Sequence, residues 1–204
     1  MRSSADADLF EVLDQGSEYI DAAGRSPSSC FAALFRFARP VVAAVNGHAI
    51  AGGCILANAC DYRIGAAGEH RIGVTELAVG VPFPTWALEI MRFAVPGGTL
   101  QELVVLGRTY PPERALSKGL LEEVVEPEAL MERAREIAVR LASVPPQTFE
   151  LTKRALRAPT EALIAARAAG DDDRVRAMWD SDEVRRSIRA FLIKVFGSDT
   201  RSGQ

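Results

Sequence analysis

The stretch Arg39-Pro-Val-Val-Ala-Ala-Val-Asn-Gly-His-Ala-Ile-Ala-Gly-Gly-Cys-Ile-Leu-Ala-Asn-Ala-Cys-Asp61 decides the reading of this chain. Val41–Val45 is apolar, rich in β-branched residues and too short for a helix, so it predicts a buried strand. Pro40 stands at its start, where a missing N–H does no harm. Asn46-Gly47 breaks the pattern, as that pair does where φ turns positive. After Gly52-Gly53, the run Cys54–Ala59 predicts a helix. The unit is strand, glycine-bearing loop, helix N-terminus.

The first N–H groups of a helix lack internal partners and carry the positive end of its dipole, and glycines let a ligand approach them closely. A phosphate loop would need G-x-x-x-x-G-K-S/T, and Gly47 to Gly53 runs into Cys54 with no lysine. Two readings stay open on local physics: a tight packing turn, or backbone donors aimed at an oxygen that becomes negative during reaction.

The surrounding chain is 204 residues long, enough for one domain with a sizeable core. Its 48% hydrophobic and 25% charged content is that of a soluble globular protein, and a net charge of −3 with dispersed Arg and Lys gives no nucleic-acid footprint. Cys30, Cys54 and Cys60 lack zinc spacing, and His48 and His70 have no partner at ligand spacing, so a reduced, cytoplasmic protein without a metal is expected. The N-terminus has no long apolar stretch after its charge. Val41–Ala59 approaches membrane length, but Asn46, His48, Asn58 and three glycines interrupt it.

In order, the periodicity predicts helices from Asp8 toward Gly24 and over Cys30–Phe37, a strand at Tyr62–Ile64, and a helix from Thr85 to Ala94 ended by Pro96-Gly97-Gly98. Further helices are expected at Leu100–Leu106 and after Pro111-Pro112, then a strand at Leu120–Val125. Beyond Pro127 helices are expected at Glu128–Ala142, Gln147–Leu156, Thr160–Ala169, Arg174–Trp179 and Glu183–Phe196, with Asp171–Asp173 as a loop or N-cap.

The stretch Ala44–Ile64, with Ile72-Gly-Val-Thr-Glu-Leu-Ala-Val-Gly-Val-Pro-Phe-Pro84 and Leu106–Val125, resembles the crotonase (enoyl-CoA hydratase/isomerase) superfamily. Ala-Gly-Gly-Cys-Ile followed by Cys-Asp-Tyr-Arg-Ile is similar to its Δ3,Δ2-enoyl-CoA isomerases. The resemblance implies an α/β fold, the ClpP/crotonase ββα spiral. Residues 1–126 would form a partial core, lacking the family's first strands and helix, and 127–204 a helical trimerisation region. The implied partner is an acyl-CoA thioester, with no cofactor beyond the CoA in the substrate, no nucleic acid, no membrane, and a homotrimer or hexamer as the assembly.

The resemblance also implies roles. Gly52 and Ala7 would donate the two N–H groups of an oxyanion hole, although Asp6 stands where the family has glycine. Glu76 would be the base; a surface position in an edge strand is its plainer reading. Arg63 and Arg71 could meet CoA phosphates. Ala5, Leu9, His48, Ala51, Gly53, Thr75 and Phe83 would line the substrate site. Phe191 and Lys194 would cover the CoA nucleotide, or be simply an apolar face and a solvated lysine. Hydratases of this family use a second glutamate on the glycine helix, where this chain has Ile55. The expected activity is isomerisation of 3-enoyl-CoA to 2-enoyl-CoA. Hydration or another crotonase activity, and an inactive CoA-thioester-binding or assembly subunit, are the alternatives.

Overall fold

The computed structural model describes residues 9–15 and 27–196. The decisive stretch folds as strand β1 (Val42–Val45), a two-residue strand β2 (Ala49–Ile50) and helix α3 (Gly52–Ala59). Before it lie α1 (Leu9–Gln15) and α2 (Pro27–Arg36). β3 (Tyr62–Ala66) joins β1 on one side and β6 (Glu123–Val125) on the other, both parallel. β4 (Ile72–Gly73) pairs parallel with β2 and antiparallel with β5 (Thr109–Tyr110). Between and after them run α4 (Glu76–Val79), α5 (Thr85–Ala94), α6 (Gly97–Leu106), α7 (Pro112–Ser117), α8 (Leu130–Ala142), α9 (Pro146–Trp179) and α10 (Asp182–Phe196).

Strand side chains alternate between two apolar layers, as in a parallel sheet covered on both faces. Val42, Ala44, Ile64, Ala66 and Val125 pack on Leu130, Ala134 and Ile137 of α8. Ala43, Val45 and Val124 face the main core, built on Phe31, Phe35, Ile55, Ile90, Met91 and Leu103. A third cluster joins Val12, Val79 and Val81 to Val184, Ile188 and Leu192 of α10.

Three expectations change. Gly52 and Gly53 are the first turn of α3 rather than a loop before it. Gly97 and Gly98 open α6 instead of ending α5, with Pro96 at its N-cap in extended conformation. The separate helices between 147 and 179 are one helix that runs through Pro159. An internal proline costs about 3 kcal/mol. Contacts on one continuous stripe offset it: Lys153 and Arg157 bond Asp61, Glu161 bonds Arg36, Ile164 enters the core, Arg167 bonds Glu89, and Asp172 accepts the Thr85 N–H. Asp171–Asp173 is therefore helical, and Asp172 caps a different helix, α5.

Candidate active site

The β2–β4 pair places the site. Ala49 N–H donates to Arg71 O and Ala51 N–H to Gly73 O, each at 2.9 Å, which sets Ile50 opposite Gly73. Both strands run in the same direction, so they end side by side. Gly52 follows one end by two residues and Glu76 the other by three. The carboxyl ends of parallel strands are where α/β proteins gather their ligands.

At the first end, Ala51 turns the chain with φ 53° and ψ −123°, the one described non-glycine residue with positive φ. Such a conformation costs about 1–3 kcal/mol and collects at functional sites. It aligns α3 so that Cys54 and Ile55 N–H both bond Ala51 O. The N–H groups of Gly52 and Gly53, ahead of them in the helix, have no acceptor within it by geometry. Gly52 is buried and Gly53 half-buried.

At the second end, Glu76 opens α4 and is 8% exposed, so it is neither a surface residue nor part of an edge strand. Its carbonyl accepts the N–H groups of Gly80 and Val81, both at 2.9 Å. Gly80 has φ 87°, and a Cβ there would come 2.5 Å from Ser187 Cβ, so α10 lies tight against the turn that follows Glu76. The charge of Glu76 reaches Cys54: burial first, then Glu76, push that thiol up to about 12. Cys54 stays protonated and is no nucleophile at neutral pH. The only other buried carboxylate among the described residues, Glu89, is held by Arg92 at 3.0 Å and Arg167 at 2.9 Å.

The remaining expected residues divide. Leu9 and Phe191 each pack on the cluster of Val79 and Val81, and Lys194 is exposed. Thr75 is half-buried at the N-cap of α4, and Phe83 packs on the main core. His48 and Gly53 line a cleft of about 340 Å³ along β1 with Leu34, Asn46, Leu56 and Cys60; Glu76, Thr75 and Phe83 stand outside its walls. His48 has a structural task that its sequence context did not suggest, since its Nδ1 accepts the Arg71 N–H at 3.1 Å. Ala5 and Ala7, with Asp6, lie outside the described residues.

Arg63 is buried and paired with Glu122, and Arg71 bonds the Thr109 hydroxyl and carbonyl, so both arginines are engaged within the fold. Among the described residues no three His, Cys, Asp or Glu side chains are grouped to hold a metal, and no helix is long and apolar enough to cross a membrane.

Residues 4–196 match the enoyl-CoA hydratase/isomerase family. The mitochondrial enoyl-CoA delta isomerase 1 of Rattus norvegicus is 26% identical over 193 residues, which are 94% of this chain and 67% of that protein. The short-chain-enoyl-CoA hydratase of Clostridium acetobutylicum is 29% identical over 190 residues, 93% of this chain and 72% of that one. The crystal structure of human mitochondrial delta3-delta2-enoyl-CoA isomerase shares the fold with a TM-score of 0.85 at 25% identity, over 95% of this chain and 77% of that chain. With a family match across nearly its whole length, this chain is a crotonase-type α/β domain and belongs to the enoyl-CoA hydratase/isomerase family.

Proposed function

We propose that the chain isomerises 3-enoyl-CoA thioesters to 2-enoyl-CoA, with Glu76 as the single proton carrier and the Gly52 N–H as a donor to the thioester oxygen. The carrying observation is that buried Glu76 lies close enough to the helix that opens at Gly52 for its charge to act on Cys54, with Ile55, 1% exposed, on that helix. Glu76 takes the proton from C2, and the electron pair of that bond moves toward the carbonyl oxygen. The resulting dienolate accepts the same proton at C4, so the double bond passes from C3–C4 to C2–C3. No electrons are gained or lost. Ala7 is the proposed second donor.

Hydration is the second reading, favoured by the resemblance to the Clostridium hydratase. Hydration must activate a water at C3 and protonate C2, which suits two carboxylates. Ile55 offers none, and an aliphatic wall keeps water from a charged intermediate. A tenfold preference requires only about 1.4 kcal/mol between the barriers. Val139, Leu151 and Leu156 on α8 and α9 are exposed apolar side chains that the proposed trimer or hexamer would cover.

The test offers purified protein 3-enoyl-CoA and 2-enoyl-CoA in parallel and follows both products. Isomerisation that falls about 10²–10⁴-fold in Glu76→Gln, with little hydration, is expected. Efficient hydration, or isomerisation indifferent to Glu76→Gln, overturns the reading.

A further inference from the structure

The β2–β4 ladder is only two residues long on each strand, yet it sets the distance between Gly52 and Glu76. In a parallel ladder the residue opposite His48 is Arg71, whose N–H would reach back to the carbonyl of Gly47. Here that N–H goes to the His48 ring instead, at Nδ1 and 3.1 Å. A side chain thus supplies the rung that lies next to the Asn46-Gly47 turn. We propose that His48 is a positioning residue: its neutral ring extends the β2–β4 ladder, and a proton on Nδ1 releases it.

The chemistry follows from the acceptor. A neutral imidazole has one donor and one acceptor nitrogen, so Nδ1 accepts only while the ring proton sits on Nε2; the imidazolium donates from both. Protonation would set two N–H groups against each other across the rung. Several titratable or charged groups surround this point. Arg71 lies on the opposing strand segment, its guanidinium turned to Thr109. Half-buried His70 precedes it, lowered from the ordinary histidine range by burial and then by the charge of His48, with Glu113 of α7 opposing. Exposed Glu69 comes before His70, and Cys60, at the end of α3, lines the same cleft with its thiol pushed up by burial to about 11. Once the rung opens, only the Ala49–Arg71 and Ala51–Gly73 bonds hold the two strands together, and the ladder that spaces their carboxyl ends is loosened. A shift of about 1 Å between reacting groups can cost roughly 10²-fold in rate. The catalytic consequence rests on the isomerase reading; the ladder itself does not.

Hydrogen exchange at the Arg71 and Ala51 amides tests the ladder without any substrate, in the wild type, His48→Ala and His48→Asn, at about pH 7.5 and about pH 5. Asparagine places an acceptor oxygen where Nδ1 stands, at every pH. Wild-type protection factors are expected to fall about tenfold between the two pH values. His48→Ala should show the low protection at both, and His48→Asn the high protection at both. Protection unchanged in His48→Ala, or a wild type with no pH response, overturns the proposal. The second arm follows 3-enoyl-CoA turnover across the same range, where kcat should fall on acidification with KM little moved, and the fall should be absent in His48→Asn. Equal acid losses in wild type and His48→Asn overturn the positioning role. Exchange as expected in a protein that turns over no thioester supports the ladder and sinks the isomerase reading instead.

Discussion

Ile50 stands opposite Gly73 in a parallel register, and this one pairing brings a helix N-terminus and a buried carboxylate out of the same end of the fold. Gly73 has φ 153°, and a Cβ on it would collide with the Arg108 carbonyl and lie 2.8 Å from Thr109 Cα. Both neighbours are backbone, at and just before the start of β5, and cannot turn aside. Gly73→Ala is therefore expected to lose about 2–4 kcal/mol of stability, from strain and overpacking together, and to lose turnover with it. Gly97→Ala is the control, because nothing lies within 4 Å of its Cβ position. Urea unfolding midpoints compare the two; equal midpoints would show that the close approach at Gly73 is absent.

Ala51 holds φ 53° and ψ −123° immediately before Gly52. Glycine adopts such a conformation without a Cβ penalty but loses more entropy on folding. Relief of about 1–3 kcal/mol of strain against roughly 0.5–1 kcal/mol of entropy leaves Ala51→Gly about 1 kcal/mol more stable than the wild type. Chemical denaturation measures this directly. A variant less stable than the wild type would mean that residue 51 is unstrained.

Deleting the Gly52 N–H tests the donor. Proline is tolerated at the first position of a helix, so Gly52→Pro removes the group, and because it also restricts Ala51, a urea midpoint is read beside turnover. Thioester turnover should drop about 10²–10³-fold, the effect of losing one such donor, with circular dichroism unchanged. Full turnover in a folded variant would remove Gly52 from the mechanism.

Asp61 collects Lys153 at 2.7 Å, Arg157 at 2.8 Å and the Val41 N–H at 2.8 Å where α9 crosses the start of β1. Burial, partly opposed by Asp61, holds Lys153 below the usual lysine range. Asp61→Ala strands two buried cations and is expected to lose about 3–5 kcal/mol. Urea denaturation of the variant checks it, and a loss under about 1 kcal/mol would show the cluster to be energetically idle.

Glu123 supplies the pH dependence. Bonds from Arg133 and Tyr62 lower it from 4.5 to about 2. A depressed carboxylate stabilises the fold above its unfolded value, and that contribution disappears as the pH falls from 4.5 through about 2. Glu123 is half-buried and its partner Arg133 is 37% exposed, so solvent screening leaves only about 0.5–1 kcal/mol. Wild type should exceed Glu123→Gln by that margin at neutral pH, and the gap should close toward about pH 2. A gap that persists there would place the effect elsewhere.

What adjacent residues settle between themselves is legible along the chain. The apolar Val41–Val45 run, the strand break at Asn46-Gly47 and the Cys54–Ala59 helix are each set by local propensity, and together they carried the family, although the positive φ expected at Asn46-Gly47 falls on Ala51 instead. Glu76 was legible as a candidate from its motif. Tertiary structure decided the rest. A two-residue strand such as Ala49–Ile50 has no periodicity to read and exists only because Arg71 and Gly73 offer it carbonyls. Pro159 signals a helix end, and only the stripe from Lys153 to Asp172, anchored on residues remote in sequence, overrides it. The burial of Glu76, the strain at Ala51 and the task of His48 likewise depend on partners brought in by folding. Hydrogen bonding and desolvation act between neighbours in space, and the linear order of residues does not contain those neighbours.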